Sequence, residues 1–535
     1  MTLSANTDRL PNGSPLITRR FFLAILFALL GGLLLNVASP ALSLWPAVFP
    51  AIALILISLW GRSFWAGTLL GAVGGASFWF THISWLTLYL GPIPWSALAG
   101  VMTLWFALFG GAIAFTTRIL GTVLHDKPRT RFIVLSIAVA GLWIAREQIS
   151  GAWPYGGFAW GRVALTQADS PLGSLASWLG FAGLGFVMVW AVSLTLAVWN
   201  TYSDKILRRE PLVTGTRIAL IAPALGVVLL MAVPSFSLKV QGTARIAGVQ
   251  GNSDSAIFAD RKPGDSLNAH FQATLPIIDE DVDLLVWPEN ASDLDPNRVP
   301  EAAKILDALS QHMGVPIVVG TITAEDDRYF NSALVWETGK GVTAQYDKKH
   351  PVPFAEYMPN RDFFHALVPD LVDLVQLEYT PGERSPVMPV AGFSAGVAIC
   401  FDIVDDALAR QMVQEGAEFI LAPTNNADFG DTDQSVQQLA IAQLRAIETG
   451  RAVVNVSTVG TSAIILPNGT MKERLIPFTA DTMIYDVPRV TGSTPAMLWG
   501  EHLALAVSIL GYFGFAAAIY FPLAGFFKRR SPQKG

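Results

Sequence analysis

The chain has 535 residues, of which 52% are hydrophobic and only 15% are charged, whereas an average soluble domain carries about 25% charged residues. The mean hydropathy is +0.44. These values exclude a disordered chain, a nucleic-acid-binding protein with a basic tail and an ordinary cytosolic enzyme. They predict a protein that crosses a membrane several times.

Charge is unevenly distributed along the chain. Residues 236–490 contain 18 Lys and Arg but 35 Asp and Glu, a net charge of −17, while the remainder has a net charge of +11. A block of this length can bury a core of its own. We therefore predict an N-terminal membrane domain of seven spans over residues 1–235, a soluble domain over 236–496, and an eighth span with a basic tail over 497–535.

Long uncharged stretches locate the spans. No Asp, Glu, Lys or Arg occurs in the 41 residues between Arg20 and Arg62, or in the 55 residues between Arg62 and Arg118. A span needs about 20 apolar residues, so each stretch holds two, with breaks at Ser39-Pro40 and Gly91-Pro92. The other four spans are predicted within residues 132–149, 172–199, 218–233 and 503–523.

Basic residues set the orientation, because Lys and Arg accumulate in cytoplasmic loops. With the N-terminus in the cytoplasm, 16 Lys and Arg fall on that side, and the outer short loops keep only Arg146 and Arg162. Both termini are then inside, and the acidic block lies outside the cytoplasmic membrane.

The outer loop after the fifth span is rich in aromatic residues from Trp143 to Trp160. Such a belt is common at membrane interfaces, but this loop would also meet lipid beneath the soluble block. Arg146 either extends its charge to the interface or holds a lipid phosphate. Both interpretations stay open, and Arg146 is our candidate lipid contact.

Short apolar runs alternate with helical patterns in the soluble block, which predicts layers of sheet and helix. Buried strands are expected at residues 244–249, 283–287, 316–323, 332–336, 396–400, 419–422 and 452–457, and helices at 300–313, 405–415 and 435–449. The sequence contains no P-loop, HExxH or GxSxG motif, so the common signatures of nucleotide, zinc-protease and serine-hydrolase sites are missing.

Two charged residues are candidates for the site. Glu289 comes after a strand and a proline, where apolar neighbours raise the pKa of a carboxylate toward that of a useful base; the alternative is a solvated carboxylate. Lys348, near a thiolate, would favour the ionised sulfur or stabilise an oxyanion; the alternative is a basic surface turn. His350 precedes prolines in the same segment and is expected to be structural.

Cys400 is the single cysteine, which excludes internal disulfides and metal sites that need several thiolates. It ends a predicted buried strand, so an inert thiol is one interpretation. The other is a nucleophile, because a sharp turn at Phe401-Asp402 would expose the sulfur and direct backbone N–H groups at a reacting carbonyl oxygen. We expect no metal and no cofactor.

Together these segments resemble the carbon–nitrogen hydrolase (nitrilase) superfamily, which uses a Glu-Lys-Cys triad on an α-β-β-α sandwich. The resemblance rests on Trp287-Pro288-Glu289, Tyr346-x-Lys348, Pro353-Phe354-x-Glu356 and Cys400 after an apolar strand. With seven spans before this domain and one after it, the chain is similar to the apolipoprotein N-acyltransferases. The resemblance implies an α-helical membrane bundle of eight spans plus an α/β sandwich domain, in a bacterial inner membrane with the sandwich on the extracytoplasmic side.

The resemblance also implies residue roles. Cys400 would be the nucleophile, Glu289 the general base and Lys348 the stabiliser of the tetrahedral intermediate. The supporting residues would be Glu356, Phe401 and Asp402. The expected reaction transfers an acyl chain from a membrane phospholipid to the N-terminal amine of a diacylglyceryl-cysteine on an apolipoprotein, through a thioester. The implied partners are that donor, that acceptor and the lipid bilayer, and no nucleic acid.

Three positions depart from the family pattern. Asp402 stands where these enzymes often have Glu, Ala355 replaces the usual Gly before Glu356, and Asp428 occupies a place often held by Trp. The last departure affects how the loop around Asp428 would meet lipid.

Two other functions fit parts of the pattern. A membrane-tethered amidase would hydrolyse a small C–N substrate, although it would not need eight spans. A transporter with an outer binding domain is disfavoured because few charges fall within the spans.

Overall fold

The computed structural model describes residues 15–208, 210, 214–253, 255–256 and 262–530. Contacts divide the chain into two compact units. The helical unit comprises the chain up to Trp153, Gly157–Pro234 and the segment from Trp499 onward. The α/β unit comprises Ser235–Leu498 together with Pro154–Gly156.

The helical unit begins with eight helices within the described residues. They are α1 (Pro15–Ala38), α2 (Val48–Leu59), α3 (Phe64–His82), α4 (Leu86–Leu90), α5 (Pro92–Val123), α6 (Pro128–Ser150), α7 (Ala176–Leu207) and α8 (Thr214–Leu230). In the first uncharged stretch, helix α1 ends at Ala38; in the second, helix α5 begins at Pro92. These breaks fit the prolines, because proline is tolerated at the start of a helix but not in its interior.

Two six-stranded sheets form the centre of the α/β unit. The first has the order β12-β1-β2-β3-β4-β5 and the second β11-β10-β9-β8-β7-β6. The strands are β1 (Lys239–Gln250), β2 (Leu284–Val286), β3 (Ile317–Glu325), β4 (Arg328–Glu337), β5 (Gly341–Asp347), β6 (Val387–Val390), β7 (Phe393–Val397), β8 (Phe419–Thr424), β9 (Val453–Ser457), β10 (Ala463–Ile465), β11 (Met471–Arg474) and β12 (Asp481–Thr491).

Helices cover the outer faces of the two sheets. They are α9 (Asp265–Thr274), α10 (Pro300–Met313), α13 (Asp406–Gln414) and α14 (Asp433–Thr449), while α11 (Arg361–Leu367) and α12 (Pro369–Val372) pack together in a separate small cluster with Met358. Helices α9 and α10 pack on the first sheet, and α13 and α14 on the second. The unit is therefore an α-β-β-α sandwich, as the resemblance to the carbon–nitrogen hydrolases implies.

The side chains of β2 alternate between the two hydrophobic cores of the α/β unit. Leu284 and Val286 belong to the core between the two sheets. Leu285 and the following Trp287 belong to the core between the first sheet and its helices. Successive side chains of a strand point to opposite faces, so a strand buried on both faces is continuously apolar.

The final helix, α15 (Pro495–Arg530), completes the chain within the described residues. In the part of the chain that the structure describes, five helical segments are long and apolar enough to cross a membrane: Arg19–Ala38, Pro92–Val123, Pro128–Ser150, Pro171–Ser203 and Pro495–Leu523. Helices α2 and α8 belong to shorter apolar segments. The predicted membrane-type helical region is therefore present, with five candidate spans rather than eight by this measure.

Helix α3 has the length of a span, and glycines lie where it meets α5. A Cβ on Gly71 would lie 2.4 Å from the carbonyl oxygen of Phe106, and one on Gly110 would lie 2.9 Å from that of Gly67. Small residues allow helix backbones to approach this closely, which is a common device in membrane bundles.

Candidate active site

Glu289 lies just beyond the C-terminal end of β2 and is 3% exposed. Its Oε1 accepts hydrogen bonds from Asn331 Nδ2 at 2.7 Å and Lys348 Nζ at 3.1 Å. Its Oε2 accepts one from the backbone N–H of Asn425 at 2.7 Å. Three donors on three chain segments therefore hold this carboxylate in one orientation.

Gly320 makes room for Glu289. A Cβ at this position of β3 would lie 2.3 Å from the carbonyl oxygen of Pro288 and 2.7 Å from the Cα of Glu289. Contacts below 3 Å are not tolerated without a backbone shift. The glycine therefore lets β3 approach the turn that carries the carboxylate.

Lys348 follows β5 directly and is 1% exposed. Its Nζ donates to Glu289 Oε1 at 3.1 Å and to Glu356 Oε1 at 2.9 Å. Asn331 Nδ2 also bridges these two oxygens, at 2.7 and 3.0 Å. One ammonium therefore lies between two carboxylates in the same buried cluster.

Glu356 connects this cluster to the loop that contains it. While its Oε1 faces Lys348, its Oε2 accepts a hydrogen bond from the backbone N–H of Val352 at 2.6 Å. The same carboxylate thus fixes both the lysine and the backbone of residues 352–356.

The sequence pattern predicted that Cys400 ends a strand, and this prediction is wrong. Strand β7 stops at Val397, and Cys400 begins a 3₁₀ helix over Cys400–Val404. Its φ is +51°, a left-handed conformation that costs a non-glycine residue free energy. This sharp turn leaves the side chain partly exposed at the end of the strand. Phe401 is the second residue of the same 3₁₀ helix.

Electrostatics keep the thiol protonated at rest. Burial and the nearby Glu289 carboxylate raise the pKa of Cys400 to about 12, against the opposing effects of Lys348 and of a hydrogen bond with Thr424. Burial also raises the pKa of Glu289, although Lys348 counteracts it. Burial lowers the pKa of Lys348, but Glu289 and Glu356 outweigh it and the net shift is well upward. The sulfur therefore needs a base to give up its proton, and the lysine stays charged.

Asp402 lies apart from the three-residue cluster and braces the turn that carries Cys400. Its carboxylate accepts hydrogen bonds from Tyr346 OH at 2.8 Å and from the backbone N–H of His350 at 2.9 Å, and it contacts His350 Nδ1 at 3.0 Å. It is 1% exposed. These contacts join the Cys400 turn to the segment around Lys348, and they place His350 in a structural position.

Sequence reasoning missed three polar residues that complete the site. Asn331 lies inside β4, Thr424 ends β8, and Asn425 follows it. Asn331 interrupts an apolar strand, and Thr424 and Asn425 follow one. Buried polar groups need partners, so polar residues at such places are the signal that could have found them.

Arg146 lies in a separate cavity inside the helical unit. Its guanidinium packs 3.7 Å from the ring centre of Phe106 and 4.5 Å from that of Trp143. Its Nη2 donates to Glu147 Oε1 at 3.1 Å. The arginine is 4% exposed, so it does not extend freely to an interface.

Hydrogen-bond donors line this cavity, which is small, at about 10 Å³, and has room for about one water-sized group. Within the part of the chain that the structure describes, the indole N–H groups of Trp79 and Trp105 are buried and have no hydrogen-bond partner. Glu147, the acidic group of the lining, is already engaged by Trp143 Nε1 and the Val163 N–H. The cavity therefore suits a group that accepts hydrogen bonds.

Among the described residues, no cluster of three or more His, Cys, Asp or Glu side chains has the arrangement of a metal site.

A buried Glu–Lys–Glu cluster beside a partly exposed thiol, on an α-β-β-α sandwich, defines a carbon–nitrogen hydrolase domain. The family model described as carbon–nitrogen hydrolase matches residues 245–495. A second model, described as the apolipoprotein N-acyltransferase N-terminal domain, matches residues 31–194. The two models together support an N-acyltransferase that is similar to the apolipoprotein N-acyltransferases.

Relatives match almost the whole chain. An apolipoprotein N-acyltransferase of Mycolicibacterium smegmatis is 29% identical over 90% of this chain and 82% of its own length. One from Azotobacter vinelandii is 29% identical over 93% of this chain and 96% of its own length. The solved structure of an amidase from Nesterenkonia sp. is 18% identical, covers 47% of this chain and 92% of its own, and has a TM-score of 0.35.

Proposed function

We propose that this N-acyltransferase moves an acyl chain from a membrane phospholipid to the N-terminal amine of the diacylglyceryl-cysteine of an apolipoprotein, as the last step of lipoprotein maturation. The similarity to the apolipoprotein N-acyltransferases supports the reaction class. The observation that carries the chemistry is the position of the Cys400 thiol within electrostatic reach of the Glu289–Lys348 pair.

In the first half-reaction, Glu289 takes the proton of Cys400 as the sulfur attacks an ester carbonyl of the phospholipid. The carbonyl oxygen becomes an oxyanion, which the Lys348 ammonium and the Phe401 backbone N–H stabilise. The C–O bond then breaks, Glu289 returns the proton to the leaving alcohol, and a lysophospholipid departs. The acyl group remains on the sulfur as a thioester.

In the second half-reaction, the α-amine of the apolipoprotein attacks the thioester carbonyl. Glu289 accepts a proton from the amine, Lys348 again faces the oxyanion, and the C–S bond breaks. The new amide leaves, and the proton returns to Cys400. Transfer to an amine rather than to water requires that water be kept from the thioester, which a site at a lipid surface favours.

The membrane arrangement belongs to the same proposal. Eight helices, α1, α2, α3, α5, α6, α7, α8 and α15, would span a bacterial inner membrane. The basic residues of their connecting loops favour cytoplasmic termini, which would put a catalytic domain of residues 236–496 on the extracytoplasmic side. Both substrates are lipids, so a site near the outer leaflet fits them.

Arg146 is proposed to contact the donor lipid. Its cavity offers hydrogen-bond donors and a cation in the helical unit, and its small size suits a single acceptor oxygen of a phosphodiester or of an ester carbonyl. Trp79→Phe removes one unpaired N–H and keeps an aromatic side chain, although a smaller one. We expect this variant to raise KM for the phospholipid without lowering kcat, and an unchanged KM would argue against the contact.

Mass spectrometry of the purified protein with phospholipid tests the first half-reaction. We expect a mass increase of one acyl chain on Cys400, which disappears when the apolipoprotein acceptor is added. Cys400→Ser should fold and express normally but give no thioester. A wild-type protein that hydrolyses a small amide and never acquires the adduct would favour the amidase alternative, and full activity in Cys400→Ser would exclude this mechanism.

A further inference from the structure

The loop after α6 places one aromatic ring in the α/β unit. Pro154–Gly156 belong to that unit, and the ring of Tyr155 packs there against two others. The ring centres of Tyr155 and Phe354 lie 5.5 Å apart with their planes at 87°, and those of Tyr155 and Phe364 lie 6.2 Å apart at 68°. Phe354 and Phe364 are themselves 5.0 Å apart at 88°. The three rings therefore contact one another edge to face, an arrangement that aromatic quadrupoles favour.

Tyr155 is also held at its polar end. Its hydroxyl oxygen accepts a hydrogen bond from Asn360 Nδ2 at 3.0 Å, and Asn360 is the residue before α11. The loop that carries Tyr155 is closed at its base, since the Phe158 N–H donates to the Ser150 carbonyl at 2.8 Å. The ring is therefore presented by a closed turn and fixed at both ends.

Phe354, one of the two partner rings, lies in the loop that contains Glu356. Its φ is +66°, a left-handed conformation that costs a phenylalanine free energy. The Phe354 N–H donates to the Tyr357 carbonyl at 2.8 Å, and the Glu356 N–H donates to the Val352 carbonyl at 2.8 Å. A strained residue keeps its conformation only when its surroundings hold it, so the ring contacts of Phe354 help to fix the backbone on which Glu356 lies.

The position of Glu356 sets the charge around the base and the nucleophile. The charged and titratable groups that face Glu289 are Lys348, Glu356 and the Cys400 thiol. Burial raises the pKa of Glu289 and of Cys400, Lys348 lowers both, and the Glu356 carboxylate raises both. If Glu356 moved away, the pKa values of the base and of the thiol would therefore both fall.

We propose that Tyr155 is a positioning residue of the reaction, whose ring holds Phe354 in its left-handed conformation and thereby keeps the Glu356 carboxylate beside Lys348. The inference rests on Glu289 and Cys400 being the base and the nucleophile of the proposed function. Tyr155 acts through residues 352–357 rather than on the reacting atoms. Without its ring, Phe354 can relax, and Lys348 loses one of the two carboxylates that orient it.

The test uses the full-length protein in detergent and follows alkylation of Cys400 by iodoacetamide as a function of pH. Cys400 is the single cysteine, so the label reports on one site without any lipid substrate. Tyr155→Leu removes the ring, and Tyr155→Phe keeps the ring and removes the hydroxyl. We expect the profile of Tyr155→Leu to be displaced to lower pH by about half a unit, while Tyr155→Phe follows wild type.

The same variants are compared in acyl-adduct formation from phospholipid. We expect the rate to fall about tenfold in Tyr155→Leu, because Glu289 becomes a weaker base and Lys348 is less well oriented toward the oxyanion. Tyr155→Phe should restore nearly the wild-type rate, since it keeps both ring contacts.

Two further variants separate positioning from folding. Trp153→Leu removes another ring of the same loop, one that is 63% exposed and packs on Trp105 with 5.7 Å between ring centres, and it should leave the alkylation profile unchanged. Phe354→Leu should displace the profile as Tyr155→Leu does, and it keeps the inference testable if Tyr155→Leu fails to fold. In the double variant the two displacements should not add, because Tyr155 acts through Phe354.

The results bear separately on the two proposals. The same alkylation profile in wild type, Tyr155→Leu and Phe354→Leu would overturn the role of Tyr155, even if the melting temperature fell and wild type formed the acyl adduct. An equal displacement in Tyr155→Phe, or displacements that add fully in the double variant, would overturn it as well. A displaced profile in Tyr155→Leu, together with a wild-type protein that never forms the adduct, would support the role of Tyr155 and refute the proposed transfer reaction.

Discussion

Glu289→Gln tests the base directly, because the substitution keeps the size of the side chain and removes its ability to accept a proton. Each oxygen of Glu289 faces donors: Asn425 N–H at 2.7 Å on one side, and Asn331 and Lys348 on the other. In either orientation of the glutamine amide, its NH₂ group would face one of these donors instead of an acceptor. Lys348 keeps its other carboxylate, Glu356, at 2.9 Å, so the fold should survive.

The expected loss is large. General-base catalysis contributes about 100- to 10,000-fold, or roughly 3 to 5 kcal/mol of barrier. At pH 8 a thiol with a pKa of about 12 is ionised to only about one part in ten thousand, so spontaneous ionisation cannot replace the base. We therefore expect acyl-enzyme formation in Glu289→Gln to fall by at least about 100-fold.

The assay is the rate of acyl-adduct formation on Cys400, measured by mass spectrometry from about pH 4 to pH 9. In wild type the rate should rise with pH as Glu289 ionises, and the midpoint should lie above the ordinary value of about 4.3, because burial raises the pKa of this carboxyl. The variant should lack this rise. Glu301→Gln, an exposed substitution in the first turn of α10, is the matched control. A Glu289→Gln protein that acylates at more than a tenth of the wild-type rate would refute the assignment of the base.

Two further predictions concern residues that position the site. Gly320→Ala places a methyl group 2.7 Å from the Cα of Glu289; we expect thermal stability to fall by about 1–3 kcal/mol and acylation to fall with it, and normal values for both would show that the turn can move. Asp402→Asn should loosen the Cys400 turn and lower the melting temperature, because the new NH₂ faces the donors of Tyr346 and His350. Burial lowers the pKa of His350, but Asp402 raises it by a larger amount, so the net shift is upward. Wild type should therefore lose stability as pH rises from about 6 to 8. In Asp402→Asn, the dependence of thermal unfolding on pH should be weaker.

Local sequence patterns predicted the helices and strands that have one clearly buried face and one clearly exposed face. Helix α10 was expected at residues 300–313 and has those bounds, because Ala302, Leu306 and Leu309 recur on its buried face. Strand β12 was not predicted, since its residues alternate between buried, partly exposed and exposed. It exists because it pairs antiparallel with β1, more than two hundred positions earlier in the chain. Such a partner leaves no trace in a local pattern.

The residues of the candidate site also fall into those that the sequence predicted and those that it did not. Glu289 could be proposed from sequence because it follows an apolar run, and both Glu289 and Lys348 match family motifs. Asn331 could not, because the carboxylates that it joins lie 42 and 25 positions away. The place of Asp402 was also beyond prediction, since its partners Tyr346 and His350 meet it only when the two sheets pack together.

The carboxylate of Glu356 ties reactivity to loop geometry. One of its oxygens balances the charge of Lys348, and the other is held by the backbone of Val352. A substrate that pushes this loop outward would carry the countercharge away from the ammonium and leave it with Glu289 alone. Binding of a lipid substrate would then change the charge balance around Glu289. Occupancy of the site and the proton affinity of Glu289 would therefore depend on the same carboxylate, that of Glu356.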